Sequence, residues 1–243
     1  MASILTIDRL TYHYRNADHP VFEGLDLHIG AGEFVAVVGG SGVGKSTLLR
    51  CVAGLASPSA GEIVLDVPGK PGSRSRGTVF QDGRLLPWRR LRSNIAYGLQ
   101  GLALSAEEKA ARIDEVLGLT LLSHLADRWP HQLSGGQVQR AGIARALAVH
   151  PDLLLMDEPF SAVDAITRQH LQDELLGIWQ KTGAAVMFIT HDIEEAVYLA
   201  DRVIVLAGSP GQVSVDRRID LPRPRGRNAE DLQSIAHEIA AAL

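Results

Sequence analysis

Phe34-Val35-Ala36-Val37-Val38-Gly39-Gly40-Ser41-Gly42-Val43-Gly44-Lys45-Ser46 is the stretch that decides the fold. Its first five residues read as a buried strand, and Gly39 to Ser46 fit the pattern GxxxxGK[ST], which then opens a helix. Glycines let the backbone turn its N–H groups inward toward phosphate oxygens, and the start of the following helix adds a favourable partial charge. Lys45 is placed to reach the β- and γ-phosphates of a nucleotide, Ser46 to ligate Mg²⁺, and Thr47 adds a hydroxyl at the same helix start. Alone, these residues define a phosphate-loop nucleotidase and nothing finer. Guanine-nucleotide switches carry an Asn-Lys-x-Asp motif to read the base, and this sequence has no Asn-Lys pair.

Outward from that loop, short apolar runs alternate with helical patterns, the rhythm of an α/β protein with a mostly parallel sheet. Strands are expected at Phe34–Val38, Glu62–Asp66, Leu153–Asp157, Ala185–Thr190 and Arg202–Leu206. A helix over Asp164–Lys181 would place Leu171, Leu175, Ile178 and Trp179 on one stripe, with Arg168, Gln172 and Lys181 off it. Another starts at Ser105, whose hydroxyl caps the first turn while Glu108 reaches back. A last one, from about Ala229, aligns Leu232, Ile235, Ala236 and Ile239. The section 91–149 has helical patterns but no convincing strand, and is expected to be a helical subdomain inserted into the α/β core. Pro68 to Arg76 is a loop by composition. With no internal repeat, residues 1–243 are expected to form a single domain.

Composition narrows the function. The chain has 243 residues with 24 Lys+Arg against 28 Asp+Glu, a net charge of −4, so it lacks the positive excess of a nucleic-acid binder. The single cysteine, Cys51, sits in an apolar stretch and is expected to be reduced. The densest apolar runs, Phe34–Val38 and Leu153–Met156, fall far short of the roughly 20 residues that span a bilayer. The N-terminus has no basic start with a long apolar stretch, so no secretory signal is expected.

Leu153-Leu154-Leu155-Met156-Asp157-Glu158 is an apolar strand ending in two acids. Asp157 is positioned to hold Mg²⁺, directly or through water, and Glu158 to orient or deprotonate an attacking water. Leu133-Ser134-Gly135-Gly136-Gln137 lies just before a helical stretch, Val138–Val149, and forms a second anion site at a helix start. These motifs together resemble the ATP-binding subunits of ABC transporters.

The resemblance implies an α/β phosphate-loop NTPase (ABC ATPase) core with an antiparallel β subdomain and an inserted helical subdomain. It further implies a homodimer in which Ser134, Gly135, Gly136, Gln137 and Asp164 of one chain close over ATP·Mg²⁺ held by Gly39–Thr47 of the other. Gln81 would touch Mg²⁺ or the attacking water, and His191 would contact the γ-phosphate. Tyr14 is similar to the aromatic that stacks on adenine, with Tyr12 open as the alternative. The expected partners are an integral-membrane permease and an extracytoplasmic solute-binding protein, with no nucleic acid, at the cytoplasmic face of the inner membrane.

Asp82-Gly83-Arg84-Leu85-Leu86-Pro87-Trp88 after Gln81, with Leu221-Pro222-Arg223-Pro224-Arg225, looks like the importer branch for nitrate, taurine and aliphatic sulfonates, and most like the sulfonate members. A rigid turn carrying an aromatic suits a socket for another protein's helix, while packing under the helical subdomain is the other reading of Trp88. Arg84, Arg89, Arg90 and Arg92 read as a solvated face or as a contact for a partner loop or anionic lipid. Arg217, Arg218, Arg223, Arg225 and Arg227 lean further toward solvation.

Overall fold

The computed structural model describes residues 3–15 and 18–242. They divide into two compact units, Met1–Asp66 with Ala185–Leu243, and Val67–Ala184.

In the first unit, the phosphate-loop strand is β3 (Phe34–Gly39), preceded by β1 (Ser3–Tyr12) and β2 (Phe22–Gly30) and followed by α1 (Lys45–Val52) and β4 (Ala60–Leu65). β1 pairs antiparallel with β2 on one side and β4 on the other, which makes the antiparallel subdomain. Strand β3 lies between β7 (Ala185–Ile189) and β8 (Arg202–Ala207), parallel to both, and β9 (Gln212–Arg218) runs antiparallel along β8. Helices α6 (Ile193–Leu199) and α7 (Glu230–Ala240) complete the unit. Every residue from Phe34 to Val38 is fully buried, as a strand covered on both faces must be. At about 1.5–3 kcal/mol for each large apolar side chain removed from water, this run is a main anchor of the unit.

The second unit holds β5 (Arg76–Val79) and β6 (Leu153–Asp157), which pair in parallel, with α2 (Leu91–Gly98), α3 (Ala106–Leu119), α4 (Gly135–Leu147) and α5 (Ala165–Thr182). From 91 to 149 the chain is helical, with two short 3-10 turns and no strand among the described residues. α3 starts on the expected capping box: Ser105 Oγ accepts from the Glu108 N–H at 3.2 Å, and Glu108 Oε2 accepts from the Ser105 N–H at 2.7 Å. α5 begins at its cap Asp164 and ends at left-handed Gly183.

Two expectations need correction. Gln172 is not off the buried stripe of α5 but only 3% exposed, because it lies on the same face as Leu175, Leu176 and the half-buried Trp179. The arginines of 223–227 are not a solvated cluster. Arg225 is 7% exposed, and its guanidinium donates to the carbonyls of Val197, Tyr198, Ala200, Ile219 and Leu221. Arg223 pairs with Asp201 and donates to the Leu199 carbonyl, and Arg227 lies over the Tyr198 ring at 3.8 Å. The cause is the C-terminal end of α6, whose last carbonyls have no partner within the helix and attract cations. Burial pushes the Arg225 guanidinium down to about 10. Arg218 is exposed, as expected.

Candidate active site

The phosphate loop is built from backbone that only glycine tolerates. A Cβ on Gly39 would meet the Leu206 carbonyl oxygen at 2.4 Å, and one on Gly44, at φ +108°, would meet Val21 at 2.5 Å. Gly44 is the N-cap of α1, and no side chain caps that helix. A glycine at that cap leaves the helix start without a capping side chain of its own, and helix starts favour anions. Gly40 and Gly42 face open space, so a phosphate has room to approach the backbone. Lys45 is 7% exposed and folds back along the loop, its Nζ donating to the carbonyls of Gly39 at 2.8 Å and Gly40 at 3.0 Å. Ser46 is half-buried and Thr47 buried. A cleft of about 500 Å³ beside the loop is lined by Ser41, Gly42, Val43, His19 and Gly208.

Tyr14 stands 47% exposed just beyond β1, and its hydroxyl shares a 2.8 Å hydrogen bond with Thr47 Oγ1 on α1. Tyr12 is half-buried, its ring edge-on to Tyr14 at 5.2 Å and tilted against Phe22 at 6.0 Å. Of the two tyrosines, Tyr14 presents the open ring. His191 follows β7, the parallel neighbour of β3, so His191 and the phosphate loop emerge from the same end of adjacent strands. Ligands of α/β sheets bind at that end. Asp192 then caps α6, accepting from the Glu195 N–H at 3.0 Å, and its own N–H donates to Thr190 Oγ1. His191 is exposed between these two anchors.

The remaining residues lie in the second unit. Strands β5 and β6 pair through Val79 and Met156, so Gln81 and the Asp157-Glu158 pair leave the same strand ends. Leu153 to Met156 are buried to within 2% of completely. Glu158 has φ +44°, a conformation rare outside glycine, and Ser161 ties the turn by donating its N–H and hydroxyl to the Glu158 carbonyl. Strain of this kind persists only where surrounding structure holds it, and it concentrates at working sites.

Ser134 is the N-cap of α4. Its Oγ accepts from the Gln137 N–H at 3.3 Å, and Gln137 Oε1 accepts from the Ser134 N–H at 2.9 Å. Gln137 thus forms the return half of a capping box. Gly136 lets the first turn of α4 lie close on α5, since a Cβ there would meet Thr167 at 3.0 Å. Asp164 caps α5, accepting from the Thr167 N–H at 3.0 Å, and that bond holds its carboxyl below the usual range. The ends of α4 and α5 therefore present Ser134, Gly135 and Asp164 side by side.

Two residues escaped the sequence reading. Asn94, fully buried on α2, accepts from the Leu86 N–H at 2.6 Å and donates to the carbonyls of Leu86, Arg89 and Arg90. It staples the turn that holds Trp88 out to solvent at 69% exposure, so packing under the helical subdomain does not describe Trp88. Arg145 on α4 binds the loop before that turn. Both make their bonds to backbone groups, which leave no mark on side-chain patterns; a lone Asn on an apolar helix face is the available signal. Around the turn, Arg84 sits over Phe80, Arg89 over Tyr97 and Arg90 over Trp129.

Ser46 on the first unit offers a hydroxyl, and Gln81 and Asp157 on the second offer an amide and a carboxylate oxygen, each a hard donor of the kind Mg²⁺ takes. The glycine cradle and its uncapped helix fit a nucleotide triphosphate. A buried strand, a glycine phosphate loop and the helix it opens define a phosphate-loop nucleotidase.

Residues 22–161 match the profile of the ABC transporter family. The chain is 48% identical over 223 residues to the aliphatic sulfonates import ATP-binding protein SsuB of Mycobacterium sp. (strain MCS), covering 92% of this chain and 87% of that protein. It is 47% identical over 212 residues to the taurine import ATP-binding protein TauB of Pseudomonas fluorescens (strain Pf0-1), covering 87% and 80%. Among solved structures, the ATP-binding cassette MJ0796, a dimer in a post-hydrolysis state bound to ADP and Pi, superposes with a TM-score of 0.74 at 30% identity. That match covers 90% of this chain and all of the other. The chain belongs to the ABC transporter family, as an ATP-binding subunit with ABC-type ATPase activity that uses ATP and Mg²⁺. Among the described residues, no helix is long and apolar enough to cross a membrane.

Proposed function

We propose that this chain powers import of a small sulfonate, as one of two identical ATPase subunits docked on an integral-membrane permease at the cytoplasmic face of the inner membrane. A solute-binding protein outside that membrane would deliver the solute. The observation that carries the reading is the likeness, over about nine-tenths of the chain, to two import ATPases named for organosulfonates. The exposed, stapled Trp88 supports the permease, because a tryptophan held in water on a rigid turn suits an anchor for a partner's pocket. Residues 1–243 act as one ATPase unit in this reading, with 91–149 as the inserted helical part.

The residues divide the work as follows. Gly39 to Thr47 hold the triphosphate, Lys45 turning from the Gly39 and Gly40 carbonyls to the β- and γ-phosphates, while Tyr14 stacks on adenine. Ser46, Gln81 and Asp157 hold Mg²⁺, which supplies charge neutralisation to the phosphates. Ser134, Gly135 and Gly136 of the second copy close on the γ-phosphate, with Gln137 fixing Ser134 and Asp164 crossing alongside. Closure excludes water other than the one in line for attack, which Glu158 accepts a proton from and His191 and Gln81 orient.

The test is a strain lacking this chain, grown on an alkanesulfonate, taurine or sulfate as sole sulfur source, with nitrate as sole nitrogen source in parallel. Failure on alkanesulfonate with normal growth on sulfate is the expected result. Failure on taurine alone would move the substrate to that branch, and normal growth on every source would overturn sulfonate import.

A further inference from the structure

The segment after Gln81 is fastened to the same helix that carries Ser134. Arg145 donates through Nη1 to the Arg84 carbonyl at 2.6 Å and through Nη2 to the Gly83 carbonyl at 2.8 Å. One and two turns nearer the start of α4, Gly142 and Val138 press on the same loop. A Cβ on Gly142 would meet Gly83 Cα at 3.2 Å, and one on Gly83 would meet Val138 at 3.0 Å. Val138, Gly142 and Arg145 stand at i, i+4 and i+7, one face of the helix. Gly83, at φ +66°, and Arg84, at φ +42°, hold left-handed backbone that turns both carbonyls to the guanidinium. Gly98, at the end of α2, makes room for the arginine: a Cβ there would lie 3.1 Å from Arg145 Cγ. Beyond the loop, Asn94 of α2 staples Leu86 to Arg90 and hence Trp88.

We propose that Arg145 is a positioning residue that makes α4 and the Gln81–Trp88 segment move as one body, so that closure at Ser134 is delivered to the docking turn. The inference rests on the ATP-driven closure described above. Arginine suits the task because its planar fork meets two adjacent carbonyls at once, where a lysine ammonium on a flexible stem satisfies one direction at a time. Without it, the loop still meets α4 through the van der Waals seam at Gly83, Gly142 and Val138. Two hydrogen bonds from a charged donor are worth a factor of at least about ten each in local opening.

Hydrogen exchange of the full chain, in a Glu158→Gln background with and without ATP·Mg²⁺, separates the outcomes. In the parent, ATP should slow exchange both in 133–140 and in 82–90. In Arg145→Met, protection of 133–140 should persist while the ATP-dependent protection of 82–90 falls about tenfold or more. Arg145→Lys retains the charge and should fall between them, which keeps the test available if the methionine variant folds poorly. A purely structural role would raise exchange without nucleotide and leave the ATP-dependent difference unchanged. Parent-like ATP protection of 82–90 in both variants would overturn the inference. Absence of ATP protection at 133–140 in the parent would instead remove the closure on which it rests.

Discussion

Two helix starts in this chain face the same chemical problem and solve it in opposite ways. α1, behind the phosphate loop, has a left-handed glycine at its cap, which brings no side chain to cap the helix. Lys45 satisfies itself on the Gly39 and Gly40 carbonyls and needs only to turn to meet a phosphate. α4 is closed by its own residues, with Ser134 and Gln137 bonded to each other's backbone. The first is a cradle that waits for a polyanion, and its affinity lies within one chain. The second is closed by its own capping box, and it presents the Ser134 hydroxyl beside Gly135 and Gly136. A site of that kind adds to a nucleotide already held elsewhere. In the proposed function, this contrast separates holding ATP from deciding when to hydrolyse it.

Breaking the first helix start should have the largest effect. Lys45→Ala removes the charged donor to two phosphates and should lower ATP affinity of the isolated chain about a hundredfold, read by calorimetric titration. Unchanged affinity would mean that the loop holds ATP by its backbone alone. Breaking the second should leave that affinity within about twofold while turnover falls by one to two orders of magnitude, the scale of one lost transition-state donor. Ser134→Arg is the variant, and a matched loss of binding would erase the distinction.

A third helix end sharpens the contrast, since the C-terminus of α6 is closed by arginines from 223–227. Arg225→Met should leave buried carbonyls unpaired and lower the Tm by several degrees, at about 1–3 kcal/mol per orphaned group. A Tm unchanged by that substitution would return the arginine to the surface.

The smallest effect expected is acid sensitivity at Asp216. Hydrogen bonds from Arg202 hold its carboxyl below the usual range. A carboxylate depressed on folding contributes stability above its unfolded value near 3.9, and loses it as pH falls through the lower folded value. Asp216→Asn should flatten the loss of Tm between about pH 4 and 2.

Legibility in the sequence followed burial. The strands covered on both faces, β3, β6, β7 and β8, show as continuous apolar runs, and their expected ends fall within a residue of those observed. β9 alternates half-buried and exposed residues, and β1 and β2 pair through shifts of register, so none of the three stands out as a run. β5 is only four residues long. Motif residues were readable because their chemistry depends on residue type. The structural roles of Asn94, Arg145 and Arg225 were not, because each is defined by backbone groups that the fold brings to it.

In the proposed function, the α4 start completes a nucleotide site belonging to another copy of the chain. Light scattering on Glu158→Gln with ATP·Mg²⁺ tests it most directly. A dimer is expected with nucleotide, a monomer without it, and a monomer again when Ser134→Arg is added while ATP stays bound. A chain that remains monomeric at full ATP occupancy, or a dimer indifferent to Ser134, would contradict it.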